Sequence, residues 1–176
     1  MDSRAADRVP FATPTQRASG GVALLAAGVL LSAAVIDRWV VVDDGVIVLG
    51  LLMEKLGPRL SSKSWFFFEA GQICRPTAWW GALTLATSAV AIVIAVWVGL
   101  RAFLGKPSPW LVRLMPASFA ATAALGWVFS RTGYAVRLVG FARDEGGLGL
   151  SFWMAASAVP LALLAWCGRI RRPEAA

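Results

Sequence analysis

Four runs of this chain carry no charged residue: Ala18–Ile36, Pro76–Leu100, Leu114–Ser130 and Gly146–Gly168. Each is bounded on both sides by charge, and each approaches the ~20 residues a helix needs to cross ~30 Å of hydrocarbon. A chain of 176 residues with 58% apolar and 15% charged residues is too apolar for an ordinary soluble domain. The sequence therefore predicts a membrane all-α fold, a bundle of four transmembrane helices. Residues 18–168 form the transmembrane domain, between a tail at 1–17 and a tail at 169–176.

The segment from Ile36 to Met53 competes as a fifth span. It would carry Asp37, Arg38, Asp43 and Asp44 into the bilayer, at roughly 2.5–3.5 kcal/mol for each one placed centrally. That cost keeps it outside. At period two, Trp39–Val42 and Val46–Leu49 are β-prone runs flanking Asp43-Asp44-Gly45, and Asp-Gly favours a tight turn because both residues tolerate positive φ. Trp65–Phe68 offers a third strand. The expectation is a small extracytoplasmic antiparallel β-sheet within the first external loop, residues 37–75.

Orientation follows from the basic residues. Arg4, Arg8, Arg17, Arg101, Lys106, Arg113, Arg169, Arg171 and Arg172 fall on one side of the four spans, against Asp2, Asp7 and Glu174. The other side is close to balanced. By the positive-inside rule both termini are cytoplasmic, most simply in the cell membrane. Topology thus accounts for the net charge of +7, so nucleic acid is not an expected partner and membrane lipids are. Tryptophans agree with these span ends: Trp39, Trp79, Trp80, Trp127 and Trp153 at the outer ends, Trp97, Trp110 and Trp166 at or near the inner ones. A signal-peptide reading of the first run, with Val22–Leu31 followed by Ser32-Ala33-Ala34, competes, but the apolar stretch continues through Ile36.

Lipid is as apolar as leucine, so helix contacts rely on small residues. Ala23 with Ala27, Gly28 with Ser32, Ala117 with Ala121, Ala120 with Ala124, and Ala158 with Ala162 have the four-residue spacing. Pro160 is expected to kink the fourth span. Chemistry is scarce. The chain has no histidine, no Cys-x-x-Cys pair and no acidic residue within a span, which argues against a zinc site, a haem ligand pair, a histidine-based triad or a proton relay. No catalytic residue, metal or cofactor is expected. Cys167, beside Gly168 and Arg169 at the inner end of the last run, is a candidate for lipidation.

The order of features resembles the claudin and peripheral-myelin-protein superfamily of four-span proteins. Trp39 follows the first span, and "GLLMEK", Gly50 to Lys55, is similar to that family's Gly-Leu-Trp-x-x-Cys element, with Leu52 at the tryptophan and Lys55 at the first cysteine. Cys74 lies roughly where a second cysteine could fall, so the family's bracing disulfide has only one of its partners here. The resemblance implies a non-enzymatic protein acting through protein–protein contacts: self-assembly, cell contact or accessory membership of a membrane complex. The apolar residues of the expected sheet, Trp39, Val41, Ile47, Leu49, Leu51, Trp65 and Phe67, are the candidate partner surface. The alternative is a small channel or transport component, with Asp37, Asp43 and Asp44 at its outer mouth.

Overall fold

A computed structural model describes residues 12–36, 38–42, 47–49, 53–56, 63–64, 76–106, 108–138 and 147–170. Four long helices dominate: α1 (Pro14–Ile36), α2 (Pro76–Phe103), α3 (Pro109–Leu138) and α4 (Leu150–Ile170). Each contains a stretch long and apolar enough to cross a membrane. They extend past the uncharged runs because Arg17, Arg101, Arg113 and Arg131 are themselves helical, and long basic side chains at helix ends reach back to the headgroup level.

Helix starts and stops are written locally. Thr13 accepts from the Gln16 amide at 3.3 Å while the Gln16 side chain accepts from the Thr13 amide at 2.9 Å. This reciprocal capping box places Pro14 at the first helical position, where its missing N–H costs nothing. At the far end of α2 the Lys106 amide bonds the Arg101 carbonyl and the Gly105 amide bonds the Ala102 carbonyl, with Gly105 at φ 69°. That is a Schellman ending, which only glycine enters without strain. The chain reverses at once into α3.

The four helices form a ring: α1 packs between α4 and α2, and α3 between α2 and α4. Their buried positions share one register. On α2 these are Thr84, Ser88, Ala91, Ala95, Val98 and Ala102; on α4, Ser151, Ala155, Ala158, Ala162 and Ala165. Alternating steps of four and three give the 3.5-residue repeat of helices that cross at about 20° with a left-handed twist. Helix α3 follows the same repeat with larger side chains, Val112, Met115, Phe119 and Phe129. One helix carries the bulk, and three carry mainly alanine to receive it.

Of the small-residue pairs expected from the sequence, Ala23 with Ala27 and Ala158 with Ala162 are buried in the core. Gly28, Ser32, Ala117, Ala120, Ala121 and Ala124 face outward. A close approach of backbones lies between α1 and α2. A Cβ at Gly20 would stand 2.8 Å from the Ala102 Cβ and 3.1 Å from the Gly99 carbonyl, and one at Gly99 would stand 2.7 Å from the Leu24 Cγ. Helix α4 runs through Pro160, and α3 through Pro116, each as a single helix.

The expected fold class is corrected at the end opposite the α2–α3 loop. The packed body is an all-α four-helix bundle, and the described residues of the first external loop form no sheet domain standing on it. The extended segments found there are only two to four residues long: β1 (Val40–Val42), β2 (Ile47–Leu49), β3 (Met53–Leu56), β4 (Lys63–Ser64) and β5 (Gly147–Leu148). They pair antiparallel in the order β4-β3-β2-β1-β5. This ribbon is not contained in the first loop, since β5 comes from the chain just before α4. The third segment is Met53–Leu56, while Trp65–Phe68, expected to be a strand, lies outside the described residues. Strands of this length fall short of the usual five or six residues. The large side chain that was to belong to the sheet, Trp39, is buried in the helical core instead.

Adjacent glycines test this packing. Gly20→Ala is expected to lower the stability of the detergent-solubilised protein by about 1–3 kcal/mol, the cost of overpacking a close contact. Gly21→Ala, with nothing within 4 Å of its added Cβ, is expected to raise it by up to ~1 kcal/mol through helix propensity. Thermal unfolding of the two variants side by side checks both signs.

Candidate functional site

Two regions concentrate what polar and aromatic chemistry the bundle has: the junction where α1 hands over to β1, and the two rims where the helices leave the apolar zone. At the junction, residues 38–41 run antiparallel to 147–151. The Gly149 amide donates to the Trp39 carbonyl at 2.8 Å, the Ser151 amide donates to the Arg38 carbonyl at 2.9 Å, and the Arg38 amide donates to Ser151 Oγ at 2.8 Å. The pairing continues as Val40 opposite Leu148 and Val41 opposite Gly147. Ser151 lies in the first turn of α4, whose amides have no partner within the helix. The chain leaving α1 supplies one of those partners and so ties the first helix to the last.

This tie needs glycine at 149, because a Cβ there would collide with the Arg38 carbonyl oxygen. It also drives Trp39 inward. The indole is fully buried against Gly126 of α3, where a Cβ would come within 2.5 Å of its Cζ3. Its Nε1 has no hydrogen-bond acceptor among the described residues, and the ring is held by packing against Gly126. The buried hydroxyls of α2 and α3 are satisfied within their own helices: Thr84 donates to the Trp80 carbonyl, Ser88 to Thr84, Thr122 to Ser118 and Ser130 to Gly126. Between helices, Ser19 Oγ donates to the Ala165 carbonyl at 2.5 Å, joining α1 to α4 near the opposite end.

The rims are marked by exposed tryptophans. On α2, Trp79 and Trp97 stand 18 positions apart, and on α3, Trp110 and Trp127 stand 17 apart; all four are exposed. At 1.5 Å per residue these intervals are about 26 Å, close to the hydrocarbon thickness of a bilayer. Each helix also stacks an arginine four residues beyond one of its tryptophans: Arg101 lies 5.4 Å from the Trp97 ring centroid and Arg131 lies 5.3 Å from that of Trp127. The two pairs sit at opposite ends of the bundle, since α2 and α3 run antiparallel across a short loop.

The candidate partner residues are scattered by this arrangement. Trp39 is inside the core and is not available to a partner. Val41, Ile47 and Leu49 lie on β1 and β2, with only their backbone pairing described, and Leu51, Trp65 and Phe67 lie outside the described residues, as do Asp37, Asp43, Asp44 and Cys74. Cys167 is a free, exposed thiol near the end of α4. Three features went unread in the sequence although each carried a signal: the Thr13-Pro14-Thr15-Gln16 capping box and the two Trp-x-x-x-Arg pairs at helical spacing. The Ser151 tie had no local signal, because its partner is 113 residues away.

Among the described residues no group of three or more His, Cys, Asp or Glu side chains could hold a metal. Neither a protein-family model nor a curated protein matches this chain. With four apolar, membrane-length helices packed as one bundle, it is an integral membrane protein.

Replacing Trp39 separates ring from N–H. Trp39→Ala is expected to cost about 3–5 kcal/mol of stability, as for a large aromatic removed from a core, while Trp39→Phe, which deletes the unpartnered Nε1 and keeps most of the ring, should retain most of it. Denaturant titration in mild detergent reads both; equal losses would contradict this placement.

Proposed function

We propose that this protein is a non-catalytic membrane component that works by associating, through the outward faces of its helices, with another membrane protein or a second copy of itself. Self-assembly, cell contact and accessory membership of a larger complex all fall within this reading. The reading is analogous to the claudin-like group of four-span proteins, supported by Trp39, three residues past the end of the first helix. Both termini and the α2–α3 loop lie in the cytoplasm of a cell carrying it in its plasma membrane, a placement supported by the nine basic residues on that side.

The observation that carries the reading is the bundle interior. Trp39, Leu30, Met115, Phe119 and Phe129 fill it, and the four uncharged runs bring no ionisable group into it. A filled interior favours a role on the surface over a conducting path, while Asp37, Asp43 and Asp44 of the acidic-mouth alternative lie outside the described residues. Function then belongs on the surface. On α1, Gly21 and Gly28 have no described residue of another helix within 4 Å of an added Cβ. A glycine within a helix costs about 1 kcal/mol relative to alanine, and among the described residues no contact repays that cost. Helices in lipid associate closely where small residues let backbones meet.

Single-molecule photobleaching of labelled protein in vesicles tests the proposal. Gly28→Leu, with or without Gly21→Leu, is expected to shift the population from oligomers or co-purifying complexes to single copies, with thermal stability of the isolated bundle undiminished or slightly raised by helix propensity. A wild-type protein that is already single and unaccompanied would overturn it.

A further inference from the structure

We infer that the end of the bundle bearing the α2–α3 loop binds the headgroup of an anionic phospholipid. The inference rests on the bilayer placement of the four helices but not on protein association. Arg17 near the start of α1, Arg101 near the end of α2, Lys106 in the loop and Arg113 on α3 all belong to this end and are all exposed. None of them forms an ion pair with a described residue, and the described residues of this end include no Asp or Glu.

Two of these charges, from separate elements, lie just beyond one interhelical contact. The contact of Gly20 with Ala102 and Phe103 closes the α1–α2 seam. Arg17 lies three residues before Gly20 on α1, and Lys106 lies three residues after Phe103, held by its amide bond to the Arg101 carbonyl. Both cations therefore stand about one turn beyond the same contact. Phe103 itself is exposed there, and Leu104 more so. Arg101, stacked on Trp97, faces outward a little above.

Cations at the edge of an apolar, tryptophan-marked surface meet a phosphodiester whose acyl chains lie along that surface. A soluble anion would find the charges but not the apolar flank, and that favours lipid as the occupant. Basic residues near an anionic leaflet attract its headgroups, so two acting on one headgroup support a preference of roughly tenfold over a zwitterionic lipid.

The test is lipid retention by the full-length protein, measured by native mass spectrometry after reconstitution with phosphatidylglycerol and phosphatidylcholine together. Wild type is expected to retain phosphatidylglycerol about tenfold over phosphatidylcholine. Arg17→Gln/Lys106→Gln should bring that ratio close to one, and Arg131→Gln, at the opposite rim, should leave it unchanged. Equal retention of the two lipids by wild type, an undiminished ratio in the double variant, or an equal fall in Arg131→Gln would overturn the assignment. Displacement of phosphatidylglycerol by a matching concentration of inorganic phosphate would also overturn it, by showing a site for free phosphate. Failure of the protein to enter vesicles at all would instead refute the bilayer placement.

Discussion

Helices surrounded by lipid gain little from hiding apolar side chains, because the tails outside are as apolar as the neighbours inside. What holds them is closeness of contact, and the structure is organised around achieving it. Alanine dominates the inward register of α1, α2 and α4, glycine allows a close contact between α1 and α2, and α3 supplies the large side chains that fill the remaining space. Dispersion contacts are individually small, ~0.1–0.2 kcal/mol per atom pair, and add up only when the fit is tight. The division between one bulky helix and three lined with small residues is how this sequence obtains that fit.

The junction at Arg38 and Trp39 has a second job in the same scheme. Helices α1 and α4 pack closely along their length, and the Ser19 hydrogen bond to the Ala165 carbonyl ties them near one end. Backbone pairing of residues 38–41 with 147–151 closes the other end, and the buried indole against Gly126 pins α3 to it. A bundle closed in this way keeps its interior occupied and leaves the lipid-facing surface, with its exposed glycines and its basic, tryptophan-marked rims, as the part free to recognise something else.

The spans were legible because charge is expensive in hydrocarbon, so runs free of it are rare and visible without any partner information. Packing faces were less so. In a chain this rich in alanine every helix offers small pairs on several faces, and the choice between Ala23–Ala27 and Ala117–Ala121 depends on neighbours that local spacing does not name. Trp39 misled for a related reason. A tryptophan beside a charge at a span end normally belongs to the interface, and its burial here depends on Gly126 and Gly149, both more than 80 residues away. The sheet was overread because β-prone valines indicate extended backbone but not how many residues will pair, or whether the pairing will build a body of its own. The capping box and the two stacked Trp–Arg pairs, by contrast, were present in plain local spacing.

The central claim is that four helices cross one bilayer, with the α2–α3 loop on the side opposite the segment between α1 and α2. The most direct measurement is accessibility of single cysteines in intact cells, with Cys74 and Cys167 replaced by serine. A membrane-impermeant maleimide should label a cysteine placed at residue 44 and miss one at residue 106 until the membrane is opened. Labelling of 106 without 44 would invert the topology, and labelling of both in sealed cells would contradict the four-span arrangement itself.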